Sequence, residues 1–180
     1  MPHESELRLH RCCFTGHRPE KLDKTPEEVQ AWLETQIDKA ISDGYTTFIA
    51  GCAMGVDIWA GQIVIRKKET RPGLHLIAAT PWPGFSRRWN EAWQEQYKEL
   101  LKNADLVVNV DTHYHSAVFQ QRNEWLWITA TGSLLISTEL PVGQANNRLY
   151  QEQRRGSDRK RSFSVFKDVE GTCSKRRTAI

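Results

Sequence analysis

Tyr45-Thr46-Thr47-Phe48-Ile49-Ala50-Gly51-Cys52-Ala53-Met54-Gly55-Val56-Asp57-Ile58-Trp59-Ala60 decides the architecture. Its first six residues are β-branched, aromatic or small, the composition of a buried strand. Gly51 follows without a spacer. A helical pattern then runs from about Val56 to Lys68. A strand that turns directly into a helix through two glycines is half of a βαβ unit, and such units build parallel sheets.

The flanking segments repeat this grammar. Leu9–Phe14 reads as a first strand that stops at Thr15-Gly16. Thr25-Pro26-Glu27-Glu28 predicts a helix start, with Thr25 as N-cap, Pro26 in the first turn and Glu28 completing a capping box. Val29, Trp32, Leu33, Ile37, Ala40 and Ile41 place one apolar stripe along that helix, and Gly44 ends it. Leu74–Ala79 is a third strand, closed by Thr80-Pro81-Trp82-Pro83-Gly84. Ser86 is the expected cap of a further helix carrying Trp89, Trp93, Tyr97, Leu100 and Leu101 on one face. Asp105–Val110 is a fourth strand, 117–128 reads as helical, Leu134–Ser137 suits a fifth strand, and a short helix fits 143–154. The expected fold is α/β, a Rossmann-like three-layer domain with a mainly parallel sheet and helices on both faces.

At 180 residues the chain fits one domain with a substantial core. The domain is drawn at 1–155, followed by a basic, flexible tail over 156–180. Residues 151–180 hold nine Lys/Arg against four Asp/Glu, whereas 1–150 hold sixteen against eighteen. The net charge of +3 therefore belongs to the tail, and nucleic acid is compatible with it but not favoured. No apolar run reaches the length of a membrane span, and the first residues lack a signal-peptide layout, so a cytoplasmic protein is expected. Cys12, Cys13, Cys52 and Cys173 show no CxxC spacing, and buried free thiols are expected rather than a metal site.

In open parallel sheets, ligands bind at the carboxyl ends of strands. The Gly51–Asp57 loop lets backbone N–H groups of Gly51, Ala53 and Met54 approach an anion at a helix amino end, with Gly55 supplying the turn. Glycines there serve a plain tight turn equally well. Asp57, in the first helical turn, would repel a phosphate beside it. It is expected to cap backbone N–H groups or accept a ribose hydroxyl. Thr15, Gly16, His17 and Arg18 offer a hydroxyl, close backbone approach, an imidazole and a guanidinium fork at the neighbouring strand end. Trp82, between two prolines, is the one tryptophan expected near a ligand; Trp32, Trp89 and Trp93 fall on apolar helix faces.

Thr15-Gly16-His17-Arg18-Pro19 together with Gly51-Cys52-Ala53-Met54-Gly55-Val56-Asp57-Ile58-Trp59-Ala60 resembles the YpsA-like branch of the SLOG superfamily. Pro81, Trp89, Tyr97, Asp105 and Arg122-Asn123-Glu124-Trp125 extend the resemblance, which runs in register over about residues 10–126. That superfamily has Rossmann-like domains and includes the DNA-processing protein DprA and the LOG phosphoribohydrolases. The resemblance implies a nucleotide, NAD or ADP-ribose-like ligand, adds Pro81, Arg122 and Asn123 as site candidates, and carries no established reaction. An N-glycosidase acting on nucleoside monophosphates and DprA-like single-stranded DNA binding are the alternatives. The PGGxGTxxE motif of the LOG enzymes is missing, leaving Glu124 and Glu139 as acids without that context. Oligomeric state stays open, a homo-oligomer included.

After about Trp127 the expected strand and glycine-glycine-threonine loop give way to Val142-Gly143-Gln144-Ala145-Asn146. Loss at a single point suggests a change of reading frame, since codons for residues 127–142 can be chosen whose shifted frame approaches the family pattern. On that reading residues from about 129 onward do not pack on the sheet, and the domain lacks its last strand and phosphate loop.

Overall fold

The computed structural model describes residues 3–136 and 163–166, the backbone alone for 133–136 and 163–166. Among the described residues six strands form one sheet: β1 (Arg11–Gly16), β2 (Thr47–Ala50), β3 (His75–Thr80), β4 (Leu106–Asn109), β5 (Gly132–Ile136) and β6 (Phe163–Phe166). Their spatial order is β4-β3-β2-β1-β5-β6, and every pair is parallel. Between them run α2 (Pro26–Ser42), α3 (Val56–Thr70), α4 (Glu91–Asn103) and α5 (Val118–Thr129), preceded by a short α1 (Glu4–Leu9). From β1 the chain steps outward to β4, then returns through α5 to β5 on the other side of β1. The order reverses there, which puts the ligand crevice of such a sheet at the carboxyl end of β1.

Alternation along the strands sorts two cores. Cys12, Phe14, Phe48, Ala50, Leu76 and Ala78 pack under α2, α3 and α4, while Cys13, Ile49, Ile77 and Ala79 meet Leu126 and Ala130 at α5. Cys12 and Cys13 thus face opposite ways, and Cys12, Cys13 and Cys52 are buried free thiols. Cys173 lies outside the described residues. On α2 the residues Val29, Leu33, Ile37 and Ala40 are buried, with Trp32 and Ile41 packed at the edge of the same cluster. Each fully buried aliphatic side chain contributes about 1.5–3 kcal/mol. The capping box forms as expected: Thr25 Oγ1 accepts from the Glu28 N–H at 3.3 Å, and Glu28 Oε2 from the Thr25 N–H at 2.9 Å. The middle helix α3 is buried from Val56 to Gly61 because α2 and α4 flank it.

Several expectations change. Ser86 does not cap a helix: residues 82–89 form successive turns, and α4 starts at Glu91 with Asn90 Oδ1 accepting from the Trp93 N–H at 3.0 Å. Gly84, at φ +81, consumes the chain there in a turn. Leu9 closes α1 rather than opening β1. The sheet does not lack a strand after residue 129. Ala130 is buried against α5's core, and Gly132–Ile136 pairs with Cys12–Gly16. β6 lies past the boundary drawn at 155 and pairs with β5. The helix expected at 143–154, the Gly143–Asn146 segment and Glu139 lie outside the described residues.

Candidate functional site

Two strand-end loops meet at the carboxyl edge of β1 and β2. Gly16, ending β1, faces the start of α3 so closely that a Cβ there would lie 2.6 Å from Val56 Cβ. Gly55 sits at φ +89 and ψ −123, a conformation open to glycine alone. A Cβ on it would lie 2.8 Å from Pro19 Cδ and 3.0 Å from the His17 carbonyl oxygen. The Thr15–Pro19 loop and the Gly51–Gly55 loop are therefore in direct contact through their glycines. Between them Cys52 holds φ +63, an uncommon conformation for a residue with a side chain, and its buried Sγ donates to the Ala50 carbonyl at 3.3 Å. Burial and the nearby Asp57 carboxylate push that thiol up, out of the range where a thiolate forms.

Asp57 turns away from the mouth of these loops. It is 3% exposed, and its Oδ2 accepts from the Ala53 N–H at 3.2 Å and from Arg122 Nη1 at 3.1 Å. Arg122, on α5, crosses the edge of the sheet and also donates from Nη1 to the Gly51 carbonyl. Gly51 is glycine because of this crossing, since a Cβ would collide with the Arg122 guanidinium and lie 2.7 Å from Asp57 Oδ2. Among the described residues, Asp57 Oδ1 and Arg122 Nε are buried without a partner. Burial raises the Asp57 carboxyl, against the opposing pull of the Arg122 charge and the Ala53 amide.

The pair changes how the loop presents itself. The Ala53 N–H is taken by Asp57, which caps that one backbone group and removes it from the N–H groups expected to approach an anion. Its charge is neutralised below the surface and does not oppose an anion above. Among the described residues, no side chain caps the first turn of α3, whose N-cap is Gly55. That turn carries the N–H groups of Val56, Asp57 and Ile58 with the positive end of the helix dipole.

The remaining candidates spread along the same edge. Thr15, Gly16 and His17 are half-buried, Arg18 is exposed at the start of a short 3-10 turn over Pro19–Lys21, and Met54 is half-buried. Pro81 is buried, and its carbonyl accepts from the Asp111 N–H at 2.9 Å. Trp82 is half-buried within an aromatic cluster of Phe85, Tyr114 and Phe119, with ring centroids 5.0–5.6 Å away. These two sit one strand over from the glycine loops. Asn123 is half-buried on α5 beside Arg122. Asp105, matched through the resemblance, pins two strands: its Oδ2 accepts from the Leu76 N–H at 2.7 Å and pairs with Lys68. The sequence did not single out Tyr114 or the loop from Asp111 to Ala117. The loop's Asp-Thr-His-Tyr-His composition at a strand end was the available signal.

A parallel sheet whose strand order reverses at β1, with two glycine loops in contact there and no side-chain cap on the amino end of α3 among the described residues, defines a Rossmann-like α/β domain. The model of the YspA SLOG family matches residues 12–165, and the chain belongs to that family. The match continues past residue 127, where the resemblance by motif ends. Among curated relatives, the UPF0398 protein of Bacillus pumilus is 32% identical over 130 residues, covering 67% of this chain and 69% of the relative. That of Halalkalibacterium halodurans is 30% identical over 125 residues, covering 68% and 66%. The chain thus aligns with about two thirds of the length of these relatives. Among solved structures, DNA processing protein A (DprA) from Streptococcus pneumoniae superposes with a TM-score of 0.56 at 14% identity. That superposition covers 92% of this chain and 52% of DprA, and it is a likeness of fold. Among the described residues, no helix is long and apolar enough to cross a membrane.

Proposed function

We propose that this domain binds a nucleotide or nucleotide-derived ligand, in the manner of a sensor, with the ligand's phosphate at the amino end of α3. One observation carries the reading: the N-cap of α3 is Gly55, in a glycine-only conformation and with no side-chain cap among the described residues, while the nearby carboxylate of Asp57 is turned inward onto Arg122. A helix amino end with its first N–H groups free of side-chain caps suits a phosphate oxygen in charge and in geometry. Exposed Arg18 on the contacting loop supplies a guanidinium that forks onto the same group. NAD and ADP-ribose belong to the same ligand class. The N-glycosidase alternative has less support, because Glu124 is engaged by Gln120 Nε2 at 2.8 Å within α5.

A thermal-shift screen against nucleoside monophosphates, NAD and ADP-ribose tests this reading. A true ligand at a hundred times its dissociation constant stabilises the fold by about 2.7 kcal/mol. Arg18→Ala should weaken that effect while leaving the unliganded melting temperature within about a degree, as for a surface change. A flat panel with folded protein contradicts the proposal.

A further inference from the structure

We infer that Tyr114 is the platform on which the base of the bound nucleotide stacks, so that the site has a phosphate end at α3 and a base end at the loop after β4. This rests on the nucleotide reading above and adds to it a requirement for an aromatic base. Tyr114 is 62% exposed, the one aromatic among the exposed large apolar side chains of the described residues. It is not a loose side chain on a loose loop. Val110 N–H and Asp111 N–H donate to the carbonyls of Thr80 and Pro81, each at 2.9 Å, and the Thr80 hydroxyl bonds Asn109 Oδ1 at 2.6 Å. The loop is then closed on itself: Asp111 accepts from the Thr112 N–H at 2.6 Å and pairs with His115 Nε2 at 3.0 Å, while His115 Nδ1 accepts from the Ala117 N–H at 3.3 Å.

The ring meets Trp82 in a T-shaped contact, with centroids 5.2 Å apart and planes at 64°, and Trp82 is itself braced by Phe85 and Phe119. Tyr114 thus presents an exposed aromatic ring that one neighbouring ring supports, on a loop held by its own hydrogen bonds, which lowers the ordering cost of stacking. Its place is also right. β4 lies two strands from β2, so at 4.7–4.9 Å per strand the carboxyl ends of the two strands lie about 10 Å apart along the edge. That offset is on the scale of one nucleoside phosphate laid along the edge, phosphate at Gly55 and base at Tyr114. Base stacking tolerates any base, because each presents a π face.

The test is calorimetric titration of the full chain with AMP, GMP and ribose 5-phosphate, using wild type, Tyr114→Ser and Tyr114→Phe. The expected result is a loss of about tenfold or more in AMP and GMP affinity for Tyr114→Ser, near-wild-type affinity for Tyr114→Phe, and unchanged affinity for ribose 5-phosphate in both. Wild type and Tyr114→Phe should melt together; a small fall in Tyr114→Ser, from its lost contact with Trp82, acts on all three probes alike and cannot mimic a base-specific loss. Unchanged nucleotide affinity in Tyr114→Ser overturns the stacking platform and leaves the nucleotide reading standing. An equal loss for ribose 5-phosphate overturns it as well, since no base is then needed for the effect. Failure of all three probes to bind wild type overturns the nucleotide reading and the platform with it.

Discussion

Replacing Arg122 with Met should cost more stability than any other single polar change in the described chain. Arg122 and Asp57 expose 9% and 4% of their side chains, and their ion pair is 3.1 Å long. Without the guanidinium, Asp57 keeps one hydrogen bond, from the Ala53 N–H, and its Oδ1 is already unpartnered. The Gly51 carbonyl loses its donor in the same step. Removing one member of a buried pair leaves an uncompensated charge and costs about 3–5 kcal/mol. For a domain of this size that lowers the melting temperature on the order of 10 °C. Urea denaturation at pH 5 and pH 8 provides the assay. Burial already raises the Asp57 carboxyl, and losing Arg122 raises it further. A carboxyl raised on folding favours the folded state fully below its unfolded pKa of about 3.9. That contribution disappears as pH climbs toward the folded value. The variant should therefore be closer to wild type at pH 5 than at pH 8. Adding Asp57→Asn should recover most of the loss at pH 8 by removing the orphaned charge. A loss below about 1 kcal/mol at pH 8, or one that Asp57→Asn deepens, would refute this reasoning.

Three further outcomes are expected. Gly55→Ala should lower stability by about 1–3 kcal/mol in chemical denaturation, because the residue would occupy a glycine-only conformation with its Cβ 2.8 Å from Pro19 Cδ; an unchanged denaturation midpoint would contradict the contact between the two loops. Thr25→Ala should cost about 1 kcal/mol through loss of the cap on α2, measurable by thermal denaturation, and a neutral result would deny the capping box an energetic role. Asp105→Asn should weaken the acid dependence of stability. Burial alone would raise the Asp105 carboxyl, but the Lys68 ion pair and the Leu76 amide outweigh it and hold it below the ordinary range. Such a carboxylate stabilises the fold above its unfolded pKa, and the benefit is lost as pH falls through its folded value. Wild type and the Asn variant should therefore converge in acid, and a gap that stays constant from pH 7 to pH 3 would count against the Lys68 pair.

The parts of the fold carried by local chemistry were legible. Thr25, Pro26 and Glu28 mark a helix start through their own backbone bonds, and the strand-to-helix passage at Gly51–Val56 follows from two glycines between a β-rich and a helical run. Position along α4 was not legible from Ser86, because Ser86 and Asn90 are both good caps and only the turns made by Trp82–Trp89 decide which one is used. α1 buries no residue, so it leaves no apolar period to read. The candidate site was legible as a set of loops but not as a division of labour. Asp57 and Arg122 sit 65 positions apart, and nothing local says that one neutralises the other. Their pairing follows from α3 and α5 packing on opposite faces of the sheet, so that Arg122 reaches Asp57 past the strand ends, a fact of topology. Tyr114 escaped for the same reason. Its contact with Trp82 depends on β3 and β4 lying side by side.

Backbone amide resonances, followed during titration with a nucleoside monophosphate, test the central claim most directly, because they report where an anion sits without presuming a reaction. The largest shifts should fall on the N–H groups of Val56, Asp57 and Ile58, with Gly55 and Arg18 next, and Gly55→Val should abolish them. Saturable binding whose shifts leave the first turn of α3 untouched and gather elsewhere on the chain would contradict it.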